Sequence, residues 1–79
     1  MDAPLMVEYD KAGDILYLGK IKPYPEQESE ELDYGVVARL NPTSGEVENL
    51  EILFFTQRLG AGVGLNLPVL ADFRLPEAV

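Results

Sequence analysis

Four short apolar-rich stretches, paired two and two around turn signals, constrain this chain more than anything else in its sequence. Three of them alternate apolar with polar residues. That period belongs to strands with one buried face, because successive side chains of a strand point to opposite sides. Leu5 to Asp10 sets Leu5, Val7 and Tyr9 against Met6, Glu8 and Asp10. Asp10-Lys11-Ala12-Gly13-Asp14 then reads as a turn: an aspartate can bond the backbone two residues on, and Gly13 tolerates φ > 0. Ile15 to Leu18, apolar on both faces and ended near Gly19, returns as the second strand of a hairpin. Gly35 to Leu40 places Val36, Ala38 and Leu40 on one side and Val37 and Arg39 on the other. Asn41-Pro42-Thr43-Ser44-Gly45 is the next turn. Val47 to Phe55 follows, with Leu50, Ile52 and Phe54 on a wholly apolar face and Asn49, Glu51 and Leu53 on a mixed one. These two strands form a second hairpin.

The segments outside the hairpins are less regular. Lys20 to Leu32 contains Pro23 and Pro25, which lack amide hydrogens and exclude a helix or a central strand. Glu26-Gln27-Glu28-Ser29-Glu30-Glu31 is expected to be an exposed loop or a charged edge strand, since charge at a sheet edge discourages stray pairing. Phe55 to Leu59 is expected to make one helical turn capped by Gly60. The expected organisation is therefore a single, mainly β (β or α+β) domain over residues 1–79. Residues 5–59 form a four-stranded antiparallel meander of two hairpins, residues 60–64 a Gly-rich flexible connector, and residues 65–79 an apolar tail. The tail carries Leu65, Leu67, Val69, Leu70, Phe73 and Leu75. It is too apolar to be left in water, so it should cover the open face of the sheet or cross to a second subunit.

Size sharpens that last expectation. A chain of 79 residues buries a modest fraction of its surface, and domains this small usually add a disulfide, a metal or a second subunit. There is no cysteine and no histidine, which removes disulfides, thiolate and imidazole metal sites, and the usual general base. Self-association remains, with a dimer as the first expectation. Charge points to a further kind of partner. Of the net −8, residues 26–51 carry −7: Glu26, Glu28, Glu30, Glu31, Asp33, Glu46, Glu48 and Glu51 against Arg39 alone. Such a field repels nucleic acid and anionic membranes and attracts a basic protein, although acids also keep a small apolar protein soluble. The N-terminus has no basic region followed by an apolar stretch, and the longest apolar runs are far too short to span a bilayer. A cytoplasmic location is expected.

No constellation of reactive residues stands out. Asp10 and Asp14 are weak candidates for a divalent cation, but turn formation accounts for both. Gly60-x-Gly62-x-Gly64 lacks the helix that must follow a phosphate-binding loop. Ser29 and Ser44 have no histidine to activate them, and Lys11, Lys20 and Lys22 all lie in turns or loops. Glu51, flanked by apolar residues, either bonds a tyrosine or a backbone amide, or sits on the solvent face. No catalytic residues and no cofactor are expected.

Tyr9-Asp10-x-x-x-Asp14-x-Leu16-Tyr17-Leu18, an acidic spacer, Gly35-Val36-Val37 and Gly45-x-Val47-x-x-Leu50-Glu51-Ile52-Leu53 occur in that order. Over roughly residues 6 to 59 this resembles the small bacterial family called domain of unknown function 2283 (DUF2283). The resemblance implies a four-stranded β-meander with a short helix or tail, and it implies no established activity. It singles out Tyr9, Asp10, Asp14, Leu16, Tyr17, Gly35, Gly45 and Glu51 as the motif positions. Members that lie beside toxin-like genes bring in an antitoxin-type role, with Glu26, Glu28, Glu30, Glu31 and Asp33 as the patch for a basic partner. The chain departs from the family where the third strand usually ends in acids: here it reads Arg39-Leu40-Asn41-Pro42. The glycine-rich and apolar tail lies outside the pattern too. The expected function is that of a non-catalytic protein-interaction or self-assembling module, with the antitoxin-like role and weak cation binding as alternatives.

Overall fold

A computed structural model describes residues 4–60, 62 and 64–76. Residues 1–3 of the N-terminus, positions 61 and 63 of the connector, and the last three residues of the tail lie outside the described residues. Five antiparallel strands form one sheet: β1 Met6–Asp10, β2 Ile15–Gly19, β3 Glu28–Asp33, β4 Val36–Leu40 and β5 Val47–Leu53, followed by a short helix, α1 Phe55–Gly60. Both expected hairpins are present, β1 with β2 and β4 with β5. The strands number five rather than four. Of the two expectations for the acidic stretch, the charged edge strand is the one realised, as β3 paired with β4.

The spatial order is β1-β2-β5-β4-β3. In a plain meander β2 would lie beside β3; here it lies beside β5, so β2 to β5 make a Greek key in reverse chain order. Burial explains the choice. β5 is the longest strand and carries Leu50, Ile52 and Leu53, and the order gives it a neighbour on each side. Residues 20–27 must then cross the ends of β5 and β4 to reach the far edge, which is where the two prolines fall.

Register assigns the two faces, because residues paired across strands share a face. One face carries the rows Val7, Leu18, Leu50, Ala38 and Tyr9, Leu16, Ile52, Val36. Its centre is the core: Val36, Ala38 and Ile52 are the buried apolar side chains among the described residues. The other face carries Glu8, Tyr17, Glu51 and Val37, then Met6, Gly19, Asn49 and Arg39. Between β4 and β5 the register passes from Arg39 opposite Asn49 to Leu40 opposite Val47. Glu48 is the extra residue, a bulge that bends the end of β5 towards the crossover.

Both turns form, but in the first the positive φ expected at Gly13 falls on Asp14, at 56°. Asp10 Oδ1 accepts from the Ala12 amide at 3.1 Å, and Asn41 Oδ1 accepts from Thr43 and Ser44 at 2.8 and 2.9 Å. Gly45 closes the second turn at φ 76°. At the β3–β4 turn, Gly35 has φ 74°, and the guanidinium of Arg58 packs where its side chain would be, donating to the Tyr34 carbonyl.

Candidate functional site: the edges and faces open to a partner

Asp14, which the sequence presents as a turn residue, ties the tip of the first hairpin to α1. Its Oδ1 accepts from the Tyr9 hydroxyl at 2.7 Å and from the Thr56 amide at 3.0 Å, and its Oδ2 from the Thr56 hydroxyl at 2.9 Å. The Thr56 amide, then the Tyr9 hydroxyl, hold the Asp14 carboxyl below its ordinary pKa. Tyr9 in turn packs its ring 6.1 Å from Phe55. Asp10 is spent on its own turn. Among the described residues, no group of three or more acids, histidines or cysteines is placed to hold a metal.

A second polar assembly anchors the crossover. Gln27 and Asn49, both buried, bond through Gln27 Nε2 and Asn49 Oδ1 at 2.7 Å, and Asn49 Nδ2 donates to the Ile21 carbonyl at 2.7 Å. The bulged Glu48 accepts from the Tyr24 hydroxyl at 2.7 Å, and from Gln27 Nε2 and Asn41 Nδ2 at 3.1 Å each. The bond from Gln27, then that from Tyr24, lowers the Glu48 pKa. Of these five side chains, Glu48 alone carried a functional reading in the sequence, as one of the acids of the field that attracts a basic protein. Their one local signal is the pair of consecutive polar residues at positions 48 and 49, which breaks the alternation of β5.

Glu51 has a partner that neither expectation supplied. Its Oε2 accepts from Arg39 Nη1 at 2.9 Å, with both side chains about four-fifths covered. Tyr17 lies beside Glu51 in the register, and burial first, then the Glu51 charge, raises its pKa. Leu16 joins the apolar face opposite Ile52. The motif residues therefore fall into separate structural roles and do not converge on one pocket.

The lowered pKa values of Asp14 and Glu48 give a pH prediction. A carboxyl held below its unfolded value stabilises the fold above that value and loses the contribution as pH falls through the folded one. The wild type should exceed the Glu48→Gln variant in urea midpoint above about pH 5. The gap should close as pH drops below about 4.5, the ordinary value for a glutamate. Comparing the two proteins removes the opposite effect of the exposed acids, whose protonation relieves repulsion. A gap unchanged from neutral pH to pH ~3 would show that the Glu48 bonds do not act this way.

The two edges of the sheet differ sharply. β3 presents Glu28, Glu30, Glu31 and Asp33, all exposed, with Glu26 in the turn before them. β1 presents Val7 and Tyr9, with Leu5 just before it; Leu5 and Val7 are more than half exposed. The direction of the β1 backbone follows from its neighbours. The Asp14 carbonyl accepts from the Phe55 amide at 3.0 Å, and the Lys20 amide donates to the Glu48 carbonyl at 2.9 Å. Peptide direction alternates along a strand, so even-numbered residues of β2 bond towards β5 and odd-numbered ones towards β1. Ile15, Tyr17 and Gly19 then bond Asp10, Glu8 and Met6. The amides and carbonyls of Val7 and Tyr9 point outward from the edge.

The tail divides in two. Leu65, Leu67 and Val69 are half-buried, whereas Leu70, Phe73 and Leu75 are 103%, 83% and 93% exposed. Residues 67–76 border an open space of about 1880 Å³ that is also lined by Leu5, Leu18, Leu50 and Leu32. Among the described residues, no helix is long and apolar enough to cross a membrane.

In comparison with known families, the family described as "Protein of unknown function (DUF2283)" matches residues 6–55. No curated protein and no solved structure matches the chain.

Proposed function

We propose, from the premise that this chain belongs to the DUF2283 family, that it is a non-catalytic interaction module that assembles with its own copies. The observation that carries this is the distribution of apolar surface. Val36, Ala38 and Ile52 are buried, while Leu5, Val7, Leu70, Phe73 and Leu75 lie open. A patch of that kind on a small domain marks a polypeptide contact. The space between tail and sheet, about 1880 Å³, exceeds the ~300–1,000 Å³ usual for small-molecule pockets and suits a segment of chain. Sedimentation equilibrium at micromolar concentration is expected to give a dimer or larger species. A monomer throughout that range would sink this reading.

A second reading rests on β3. Its four exposed acids on one edge suit a basic protein, as an antitoxin-like partner would need. A small basic protein that co-purifies with the chain, and is lost from an E28Q/E30Q/E31Q variant, is the expected result. Equal recovery with that variant would remove the support.

A further inference from the structure

We infer that a second copy of this chain docks on β1, strand against strand, in the antiparallel register that sets Val7 opposite Val7. The inference rests on the assembly reading above and names its surface.

The argument begins with which registers the edge allows. Only residues whose backbone points outward can face one another in a bonded pair, so Leu5, Val7 and Tyr9 must meet residues of the same set. A register centred on Glu8 sets the two Glu8 side chains opposite each other. One centred on Tyr9 sets Glu8 against Asp10. Like charges directly opposite destabilise a pair of strands. The register centred on Val7 avoids both. It pairs Val7 with Val7, Leu5 with Tyr9 on the same apolar face, and Met6 with Glu8 on the other. A slide of one step towards the N-terminus, centred on Met6, sets Leu5 against Val7 and leaves Tyr9 outside the pairs formed within the set of Leu5, Val7 and Tyr9.

The far edge is closed to such pairing, since β3 against β3 sets acids against acids. β1 has neither charge nor proline among its outward-pointing residues. It is also rigidly presented: Tyr9 is held by Asp14 and packed on Phe55 before any partner arrives. The two-fold axis of an antiparallel pair stands perpendicular to the sheet, so both copies keep their apolar faces on the same side. Leu5, Val7 and Tyr9 alone fall short of the ~800 Å² per partner of a stable interface. The exposed Leu70, Phe73 and Leu75 supply more, because the tail borders the same open space as Leu5.

The test uses the whole chain. V7K sets two lysines face to face at the axis, at a side chain exposed enough to tolerate the change. It should weaken dimerisation by about tenfold or more in sedimentation equilibrium, with the far-ultraviolet circular dichroism unchanged. V7C places two thiols on Cα atoms ~5.5 Å apart in a bonded pair, within disulfide reach. The chain has no other cysteine, so mild oxidation should give a covalent dimer, whereas S29C on β3 should give none. A wild type that is dimeric while V7K dimerises equally well, or S29C cross-links in place of V7C, overturns the β1 assignment alone. A wild type that is monomeric overturns the assembly reading and this inference together.

Discussion

Ile52→Ala is expected to lower the free energy of unfolding by ~2–5 kcal/mol, the range for deleting a fully buried Ile side chain. Ile52 is 1% exposed and lies between Leu16 of β2 and Val36 of β4, at the centre of the apolar face. The core around it is thin. Val36 and Ala38 are its fully buried apolar companions, so little can move in to fill the space that a smaller side chain leaves. A chain of 79 residues has a net stability of only ~4–12 kcal/mol, so this one change removes a large part of it and in the unfavourable case unfolds the protein. Leu5→Ala, at a half-exposed edge position, should cost much less. Urea unfolding of both variants at one fixed protein concentration checks the difference, the concentration being held because assembly itself stabilises the fold. A loss below ~1 kcal/mol for Ile52→Ala would show that the core does not sit where the burial places it.

That centre was legible before any coordinates. Val36, Ala38, Leu50 and Ile52 alternate, the turns at Asp10–Asp14 and Asn41–Gly45 carry their own local chemistry, and a period of two is a property of a strand by itself. What escaped was whatever depends on two distant segments. The run of acids at residues 28–33 says that the segment faces water; it does not say that the backbone pairs with β4, because charge reports exposure and not hydrogen bonding. Strand order escaped for the same reason. Nothing near β2 or β5 records that they will be neighbours, since that choice is made by where the most apolar strand can gain two partners. Glu51 illustrates a nearer miss. Alternation put it on the same face as Arg39, and the pairing of β4 with β5 makes the two diagonal neighbours within bonding distance. Gln27 and Asn49, 22 residues apart, look like ordinary surface amides one at a time. They become a buried pair because the crossover of a Greek key has to be fastened somewhere.

Gly19 is where that fastening is most easily broken, and Gly19→Ala is expected to cost ~2–4 kcal/mol, from lost buried hydrogen bonds. In sequence Gly19 reads as the residue at which a strand stops. In the structure it is the floor on which Asn49 lies: a methyl group there would come within 2.0 Å of Asn49 Nδ2 and 2.9 Å of its Cγ. The side chain would have to leave, giving up its bond to the Ile21 carbonyl and its acceptance from Gln27. Asn49→Ala loses those bonds directly and should cost ~1–3 kcal/mol. The two changes then remove one and the same assembly, so they should not add. With the amide already gone, the two closest clashes vanish and the Asn49 Cβ position at 3.3 Å remains, a tight contact that a small shift relieves. The double variant should therefore be more stable than the sum of the single losses by ~1–3 kcal/mol in a double-mutant cycle. Full additivity would mean that the methyl acts through the backbone of β2 alone, and that the crossover is held by something other than the amide of Asn49.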